Sequence, residues 1–289
     1  MNAMAQAPPV VLTIAGFDPS SGAGITADIK TIAAHECFGI SCITALTVQS
    51  TRGVRRVEPV DPKVIADTLA ELVSDFAVEA VHVGMLGNDE IVKVVAEFLR
   101  KAALPHLVLD PVLKSSSGAD LLDSAGIRRL IDELLPLSEV VTPNLDEAAI
   151  LAGVPVTNLD EMRQAALRLH SVGAANVVVT GGHLEKATDL LSFTTGRGVE
   201  TQVFKADRLR SKSTHGTGCA FSTALACHLA HGRGLPEAVL LSKAYISAAI
   251  ANAYPMGQGA GPLHHLYRRG QQRRSSTVVA EAEHSHSRN

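Results

Sequence analysis

Short apolar segments alternate with helical segments along most of this chain, and this alternation limits the possible folds more than any other feature. Six segments have the length and composition of buried strands: VVLTIAG (10–16), SCITALTVQS (41–50), AVHVGML (80–86), HLVLDPV (106–112), EVVTPN (139–144) and NVVVTGG (176–182). Buried strands that alternate with helices are typical of a mostly parallel sheet covered by helices on both faces. The sequence therefore predicts a three-layer α/β fold.

Between the strands, apolar residues recur with helical spacing. The expected helical segments are 61–76, 88–102, 158–173 and two more that begin near Cys219 and Pro236. In the first of them, Asp61 is the expected N-cap and Pro62 the expected first helical residue. Residues 188–206 break the alternation, and there we expect a small β-hairpin that turns at residues 196–198.

Composition narrows the classes of function and the location of the protein. Of 289 residues, 46% are hydrophobic, so the chain can bury a large core. Its net charge of −3, the lack of Trp and the low aromatic content of 3% argue against a nucleic-acid-binding surface. No apolar run is long enough to span a membrane, and the N-terminal residues lack the features of a secretory signal. The four cysteines lack CxxC spacing. We therefore expect a cytoplasmic protein, with a disordered polar tail over residues 268–289.

The residues that follow the predicted strands are candidates for one shared site, because ligands bind outside the carboxyl ends of the strands in doubly wound sheets. These residues are Asp18, Gln49, Met85, Asp110, Asn144 and Gly181. Among them, Asp110 ends the apolar segment LVLD and precedes Pro111, so the sequence predicts a carboxylate at a strand end.

The segment GFDPSSGAGITADIKT contains a GxGxxA spacing that starts at Gly22, which resembles a dinucleotide-binding turn. The context argues against that function. Five residues separate Gly22 from the strand end at Gly16, and the next strand ends at Gln49 rather than at an acid that would bind a ribose. We expect instead a turn that brings backbone against a small substrate, with Asp28 facing the pocket. A plain turn with a solvated Asp28 remains an alternative.

In VTPNLDEAAIL, Asn144 can cap a helix whose first turn contains Asp146 and Glu147, as the helix dipole favours. The alternative is functional: Asn144 and Glu147 lie on one helical face at a strand end and could organise a hydrated Mg²⁺, to which Asp110 would add a second carboxylate.

In THGTGCAFS, Gly216, Thr217 and Gly218 precede Cys219 at the expected start of a helix. Outward-pointing N–H groups and the helix dipole make such a junction suitable for an anion. A thiol at a helix N-terminus is expected to have a lowered pKa, so Cys219 could accept a proton, or it could complete the anion site with its S–H. A merely flexible helix entry remains an alternative.

Taken in order, seven motifs resemble the hydroxymethylpyrimidine kinase/phosphomethylpyrimidine kinase family of thiamin biosynthesis, within the ribokinase-like superfamily. They are TIAGFDPSSGAGITADIKT, ITALTVQSTRGV, VGML, VLDPV, TPNLDEA, GGH and THGTGCAFS. The resemblance covers residues 9–267 and implies a ribokinase-like kinase domain. It also implies dependence on ATP and Mg²⁺, and a homodimer. The loop at 216–218 would then hold the phosphoryl group that leaves ATP.

The resemblance also implies roles for individual residues. Gln49 matches the pyrimidine-binding glutamine, and Asp28, Met85 and Val112 match positions near the substrate. Asp110, Asn144 and Glu147 match the region that binds magnesium and the phosphates of ATP. The catalytic anion hole is matched by Gly216, Thr217, Gly218 and Cys219. Lys243 matches a position near adenine. One departure is visible, because Thr180 stands where the family has a lysine before GGH.

Three alternatives stay open at this point. Pyridoxal or pyridoxine kinase is the nearest, since a hydroxymethyl heteroaromatic ring has nearly the same shape. A non-catalytic pyrimidine or vitamer sensor on the same fold would bind ligand without turning over ATP. A dehydrogenase would have to bind a nicotinamide.

Overall fold

Nine strands form the middle layer of the protein within residues 7–182, 184–209 and 211–268, which are the residues that the computed structural model describes. The strands are β1 (Val10–Phe17), β2 (Phe38–Ser50), β3 (Gly53–Pro59), β4 (Val78–Val83), β5 (Leu107–Leu109), β6 (Val140–Val141), β7 (Asn176–Gly181), β8 (Ala187–Thr195) and β9 (Gly198–Ala206). They form one sheet in the order β3-β2-β1-β4-β5-β6-β7-β8-β9. The strands from β2 to β7 in this order are parallel, and β3, β8 and β9 add antiparallel edges.

The strand order creates a crevice at the carboxyl ends of β1 and β4. After β1 the chain adds β2 on one side, and it then crosses to add β4 on the other side. The connections that leave these two neighbouring strands therefore diverge to opposite sides. Ligands of doubly wound sheets bind at such a reversal of strand order.

Helices cover both faces of the sheet. They are α1 (Gly24–Ala34), α2 (Pro62–Asp75), α3 (Asp89–Ala102), α4 (Ser124–Arg129), α5 (Leu145–Ala152), α6 (Leu159–Ser171), α7 (Thr217–Ala230) and α8 (Leu235–Ala251). Helices α1, α7 and α8 bury one face, and the others bury the opposite face. Successive residues of β1 serve the two cores, because Val11 packs under α1 and α7 whereas Leu12 faces the opposite layer.

The predicted three-layer fold is confirmed, with three local differences. Each of the six apolar segments contains a strand, but β3 was not predicted, because its Arg55 and Arg56 are exposed at the sheet edge and hide the strand pattern. The predicted hairpin is present as β8 and β9, and β8 joins it to the main sheet by pairing with β7. Helix α7 begins at Thr217, two residues before the predicted start.

Local chemistry explains where some helices begin. The side chain of Asp61 accepts a hydrogen bond from the N–H of Lys63, and Pro62 opens α2, both as predicted. None of the helices in the described part of the chain combines the length and the apolar character needed to cross a membrane. The domain boundaries at residues 9 and 267 stay a prediction, and the predicted tail, apart from Arg268, lies outside the described residues.

Candidate active site

Polar side chains stand at the carboxyl ends of the parallel strands, as the strand pattern predicted. Asp18 directly follows β1 and Asp110 directly follows β5, and both are almost fully buried. Gln49 lies near the end of β2, and Asn144 begins α5 shortly after β6. These elements are held in one sheet, so the side chains gather along one edge, beside the crevice at β1 and β4.

The glycine-rich segment after β1 wraps around the carboxylate of Asp18. Its Oδ1 accepts hydrogen bonds from the N–H and the hydroxyl of Ser20 (2.8 and 2.7 Å), and its Oδ2 accepts from the N–H groups of Gly22 and Ala23 (3.2 and 2.9 Å). Burial alone would raise the pKa of Asp18, but hydrogen bonds from His215 and Ser20 outweigh it and lower that pKa. The backbone N–H groups of Ser20, Gly22 and Ala23 therefore donate to Asp18, whereas in a dinucleotide-binding turn the backbone N–H groups are free to bind a pyrophosphate.

The second glycine-rich segment packs directly against the first. Gly216 precedes α7 with a left-handed φ of 78°, and a Cβ at this residue would lie 1.9 Å from the carbonyl oxygen of Gly22. Only glycine meets both demands. No side chain caps the first turn of α7, which begins at Thr217, and within the described residues the N–H groups of Gly218 and Cys219 have no partner. This helix start is therefore suited to binding an anion.

His215 connects the two glycine-rich segments, although nothing in the sequence assigned it a role. Its Nε2 lies 2.8 Å from Oδ2 of Asp18 and 3.1 Å from the amide nitrogen of Gln49, and its Nδ1 lies 3.4 Å from the hydroxyl of Ser116. The ring is buried, and it occupies the space beside Gly22, where a Cβ would come within 2.1 Å of Cδ2. The imidazole therefore reaches from the Asp18 turn to the predicted substrate residue.

Gln49 and His215 line a cleft of about 240 Å³. Its other walls are formed by residues 50–54, 115–117 and 259–260. A small apolar cluster lies near the ends of the same strands. In it, Met85 is buried with Ala45, and Val112 packs against them. The structure thus brings the predicted ring contacts Met85 and Val112 together, and their contact with a substrate stays a prediction.

Asp110 and Glu147 form a pair of buried carboxyl groups. Burial raises the pKa of Asp110 to about 6, with His82 opposing and Asp28 adding to the rise. Burial and the charge of Asp110 raise the pKa of Glu147 to about 8. The predicted cap is confirmed: Oε2 of Glu147 accepts from the N–H of Asn144 (2.9 Å), and the side-chain oxygen of Asn144 accepts from the N–H of Glu147 (3.0 Å), which is a capping box.

The chemistry of this pair fits a hydrated Mg²⁺. Oδ2 of Asp110 is buried without a hydrogen-bond partner among the described residues, and its charge opposes ionisation of Glu147, so a nearby cation would favour both carboxylates. In the part of the chain that the structure describes, no three His, Cys, Asp or Glu side chains are grouped to hold a metal by themselves. Mg²⁺ commonly takes one or two carboxylates and completes its coordination with phosphate oxygens and water.

The expected low pKa of Cys219 is wrong for this structure. Burial of the thiol and the charges of Asp110 and Asp28 raise its pKa well above the ordinary value. Cys219 is therefore a protonated thiol at neutral pH, beside Asp110 and at the start of α7.

The prediction that Asp28 faces the substrate pocket is also wrong. Its side chain is fully buried, and its oxygens accept hydrogen bonds from the hydroxyls of Thr223 (2.9 Å) and Thr13 (2.8 Å). Nδ1 of His82, which is also fully buried, lies 3.5 Å from Oδ2 of Asp28. Burial alone would lower the pKa of His82, but Asp28 reverses this effect and raises it. Asp28 therefore joins α1 to β1 and α7 beneath the site.

Lys243 reaches the carboxyl end of β7 from α8 and is buried there. Its Nζ lies 2.6 Å from Oδ2 of Asp189, and Oδ1 of Asp189 accepts from the N–H of Gly181 (3.0 Å). Thr180 is opposite Asp189 in the β7–β8 register. A cation is therefore present close to the position where Thr180 replaces the family lysine, and contact of Lys243 with ATP stays a prediction.

Known proteins match both the sequence and the fold. Residues 18–264 match the model of the phosphomethylpyrimidine kinase family. The chain is 43% identical to the thiamine biosynthesis bifunctional protein ThiED of Geobacter sulfurreducens over 89% of this chain and 52% of that protein, so it spans about half of that relative. It is 42% identical to the hydroxymethylpyrimidine/phosphomethylpyrimidine kinase of Haemophilus influenzae, over 88% of this chain and 96% of that protein.

The fold has a close counterpart among solved structures. An ADP complex of Bacillus subtilis pyridoxal kinase superposes with a TM-score of 0.82 at 33% identity, covering 91% of this chain and 99% of that one. This likeness confirms the ribokinase-like arrangement of the sheet and its helices. Since the family model covers residues 18–264, which include both glycine-rich segments and most of the described chain, the chain belongs to the phosphomethylpyrimidine kinase family.

Proposed function

We propose that this protein is an ATP- and Mg²⁺-dependent kinase that phosphorylates 4-amino-5-hydroxymethyl-2-methylpyrimidine and then its monophosphate, which gives the diphosphate used in thiamin synthesis. One observation carries the proposal: Gln49 is linked through His215 to the uncapped start of α7. The amide of Gln49 offers a donor and an acceptor side by side, as an aminopyrimidine edge requires. The helix start offers N–H groups to a phosphoryl group next to it.

The same anion site can serve both reactions. In the first, the hydroxymethyl oxygen attacks the γ-phosphorus of ATP, the bond from this phosphorus to ADP breaks, and the hydroxyl proton passes to solvent. In the second, a phosphate oxygen of the monophosphate attacks the γ-phosphorus of a second ATP, and the bond from this phosphorus to ADP breaks. Catalysis of phosphoryl transfer is mostly positioning and stabilisation of charge. The N–H groups of Gly218 and Cys219 would supply that stabilisation, and Asp110 and Glu147 would hold the Mg²⁺ that neutralises phosphate charge.

Pyridoxal kinase activity is the second candidate, because the Bacillus subtilis pyridoxal kinase shares this fold at a TM-score of 0.82. Measuring kcat/KM for the hydroxymethylpyrimidine and for pyridoxal with Mg-ATP separates the two. We expect at least about a tenfold preference for the pyrimidine, since buried polar groups reject a ring that leaves them unpaired. A higher kcat/KM for pyridoxal would overturn the proposal, and binding of pyrimidine without ATP turnover would indicate a sensor.

Gln49→Leu should raise KM for the pyrimidine and lower kcat/KM by about 10- to 100-fold, while KM for ATP stays unchanged. Leucine keeps the bulk but leaves the polar edge of the ring unpaired, which costs roughly 1–3 kcal/mol. Initial rates at varied pyrimidine and varied ATP give both constants. Gln202→Leu, on the exposed strand β9, is the matched control. Equal effects on both substrates would remove Gln49 from the pyrimidine site.

Cys219→Ala should slow both phosphorylations by similar factors. An alcohol nucleophile benefits from a base, whereas a phosphate monoester, with a second pKa of about 6, is already ionised. The raised pKa of Cys219 leaves its thiol protonated at neutral pH and so unable to accept a proton, and we therefore expect its S–H to act on the transferring phosphoryl group in both steps. Separate rates for monophosphate and diphosphate formation check this. A loss confined to the first step would show instead that Cys219 accepts the hydroxymethyl proton.

We also propose that the protein acts in the cytoplasm and as a homodimer. All four cysteines are free thiols, which agrees with a reducing compartment. The homodimer is implied by the family resemblance. Light scattering of the purified protein would give the mass of the assembly, and a monomer at assay concentration would contradict this part.

A further inference from the structure

The amide of Gln49 can adopt two orientations, and its neighbours decide between them. One end lies 3.1 Å from the hydroxyl oxygen of Thr47, and the other end lies 3.1 Å from Nε2 of His215. The NH₂ group and the oxygen of an amide have nearly the same shape, so the surrounding hydrogen bonds determine which is which. The two orientations would present opposite patterns to a ligand.

Asp18 determines which nitrogen of His215 carries a hydrogen. Oδ2 of Asp18 lies 2.8 Å from Nε2, and the carboxylate also accepts hydrogen bonds from Ser20 and Gly22, so it is ionised and can only accept. Nε2 must therefore be a donor. A bare Nε2 would set a lone pair against the carboxylate at 2.8 Å. The hydroxyl of Ser116, near Nδ1, can donate or accept and imposes no opposite demand.

Thr47 determines the other end of the amide. Its hydroxyl has a single hydrogen, which it donates to the carbonyl oxygen of Phe17 at 2.9 Å. Toward Gln49, the oxygen of Thr47 can therefore only accept. Although the structure draws the nitrogen of Gln49 toward His215, that arrangement sets two donors against each other. Turning the amide places NH₂ toward Thr47 and the oxygen toward Nε2 of His215, whose single N–H is then shared between Oδ2 of Asp18 (2.8 Å) and this oxygen (3.1 Å), so that no two donors face each other.

The turned amide keeps one N–H and one lone pair for a ligand, with the lone pair on the His215 side. A 4-aminopyrimidine must then place its amino donor toward His215 and its ring nitrogen toward Thr47. The hydroxymethyl group is attached to the carbon next to the one that carries the amino group. It is therefore directed to the His215 side of the amide, and His215 immediately precedes Gly216, the residue before the start of α7. The opposite amide orientation would direct it away from the anion site.

We propose that His215 is a specificity-determining positioning residue that fixes the amide of Gln49, so that the site selects 4-amino over 4-oxo pyrimidines and directs the hydroxymethyl group to the start of α7. A 4-oxo ring presents an acceptor and a ring N–H in the reverse order, which the fixed amide does not match. This inference rests on the proposed function.

The experiment measures kcat/KM with Mg-ATP for the 4-amino and the 4-oxo forms of 5-hydroxymethyl-2-methylpyrimidine. Wild type should prefer the amino form by at least about 100-fold, because a site built for one hydrogen-bond pattern rejects the other. His215→Phe fills the space without an N–H and should lower this preference at least about tenfold. His215→Gln returns an N–H, which Asp18 orients, and should restore most of it. His106→Phe, before β5 at the opposite edge of the sheet, should leave the preference unchanged.

An unchanged preference in a folded His215→Phe protein would overturn the inference, because a merely structural role would lower activity on both rings alike. Circular dichroism and thermal unfolding establish that the variant is folded, and His215→Ala replaces it if the larger side chain prevents folding. A wild-type protein that phosphorylates neither ring would contradict the proposed function itself. If the wild type phosphorylates the amino form but the His215 variants keep the same preference between the two rings, only the role of His215 is contradicted.

Discussion

Replacing Asp110 with asparagine should remove most of the catalytic activity and at the same time stabilise the folded protein. The carboxylate lies beside the anion site, since a Cβ on Gly218 would be 3.9 Å from its Oδ2, and that oxygen has no partner among the described residues. We expect kcat/KM to fall by about 10²- to 10³-fold, as when one preorganised electrostatic group is lost from an active site. The need for Mg²⁺ should rise in the same variant.

The stabilisation follows from the pKa of Asp110, which burial raises from 3.8 to about 6. The folded protein therefore holds this proton more tightly than the unfolded chain does. The resulting contribution to the free energy of unfolding is complete below about pH 4 and is lost as the pH rises through about 6. Glu147, with a pKa of about 8, extends the loss to higher pH. Because asparagine carries no charge, the free energy of unfolding at neutral pH should increase by roughly 1–3 kcal/mol.

Urea unfolding at neutral pH and near pH 4, together with steady-state rates, checks both effects. The gain in stability should be present at neutral pH and small at the acidic pH. Asp146→Asn is the matched control, because Asp146 is an exposed acid in the first turn of α5, next to Glu147. Lower stability of the Asp110 variant at neutral pH, or activity within about tenfold of wild type, would contradict its assignment to the site.

Gly216→Ala should have the second large effect, on both stability and activity. The residue has a φ of 78°, and a Cβ would lie 1.9 Å from the carbonyl oxygen of Gly22, which is backbone and cannot rotate away. The two glycine-rich segments must then separate, which moves the start of α7 relative to His215 and Gln49. A displacement of about 1 Å in an active site can cost about 100-fold in rate, and we expect at least this loss in kcat/KM.

Gly232→Ala is the control that separates the two effects of Gly216→Ala, the strain of a positive φ and the steric clash of the new Cβ with Gly22. Gly232 follows the other end of α7 with nearly the same φ, 75°, and nothing lies within 4 Å of a Cβ at this position. Its alanine variant should lose only about 1–2 kcal/mol of stability, the cost of a left-handed residue that is not glycine. Activity should stay within about twofold of wild type. Equal losses in the two variants would show that Gly216 is needed only for its φ.

The three-layer arrangement, and the edge of the sheet at which the site lies, could be predicted from the sequence. Both depend on the local pattern of apolar and polar residues. Apolar segments such as VVLTIAG and NVVVTGG mark buried strands, and the position of Asp110 after such a segment places it at a carboxyl end. The edge strand β3 could not be recognised in this way. Its arginines are exposed and only one of its sides pairs with a strand, so it lacks the apolar pattern of the buried strands.

The site residues show where local patterns fail. Asp28 follows a glycine-rich turn, but only the packing of α1 against α7 reveals that its carboxylate points into the core. The pKa of Cys219 is raised by burial and by the charges of Asp110 and Asp28, which are distant in sequence. His215 has no local signal at all, because its main partner, Asp18, is 197 residues away. The motif THGTG places His215 directly before the glycines at the start of α7, but this position by itself gives no role to the side chain.

The central claim is that one site carries out two successive phosphorylations of a hydroxymethylpyrimidine. The most direct measurement is a time course with the purified protein, Mg-ATP and 4-amino-5-hydroxymethyl-2-methylpyrimidine, in which the mono- and diphosphates are resolved by mass. We predict that the monophosphate accumulates first and is then converted to the diphosphate, with one ADP formed for each phosphoryl group transferred. A folded protein that forms neither product above the level of an enzyme-free control would contradict the claim, and one that stops at the monophosphate would contradict its second step.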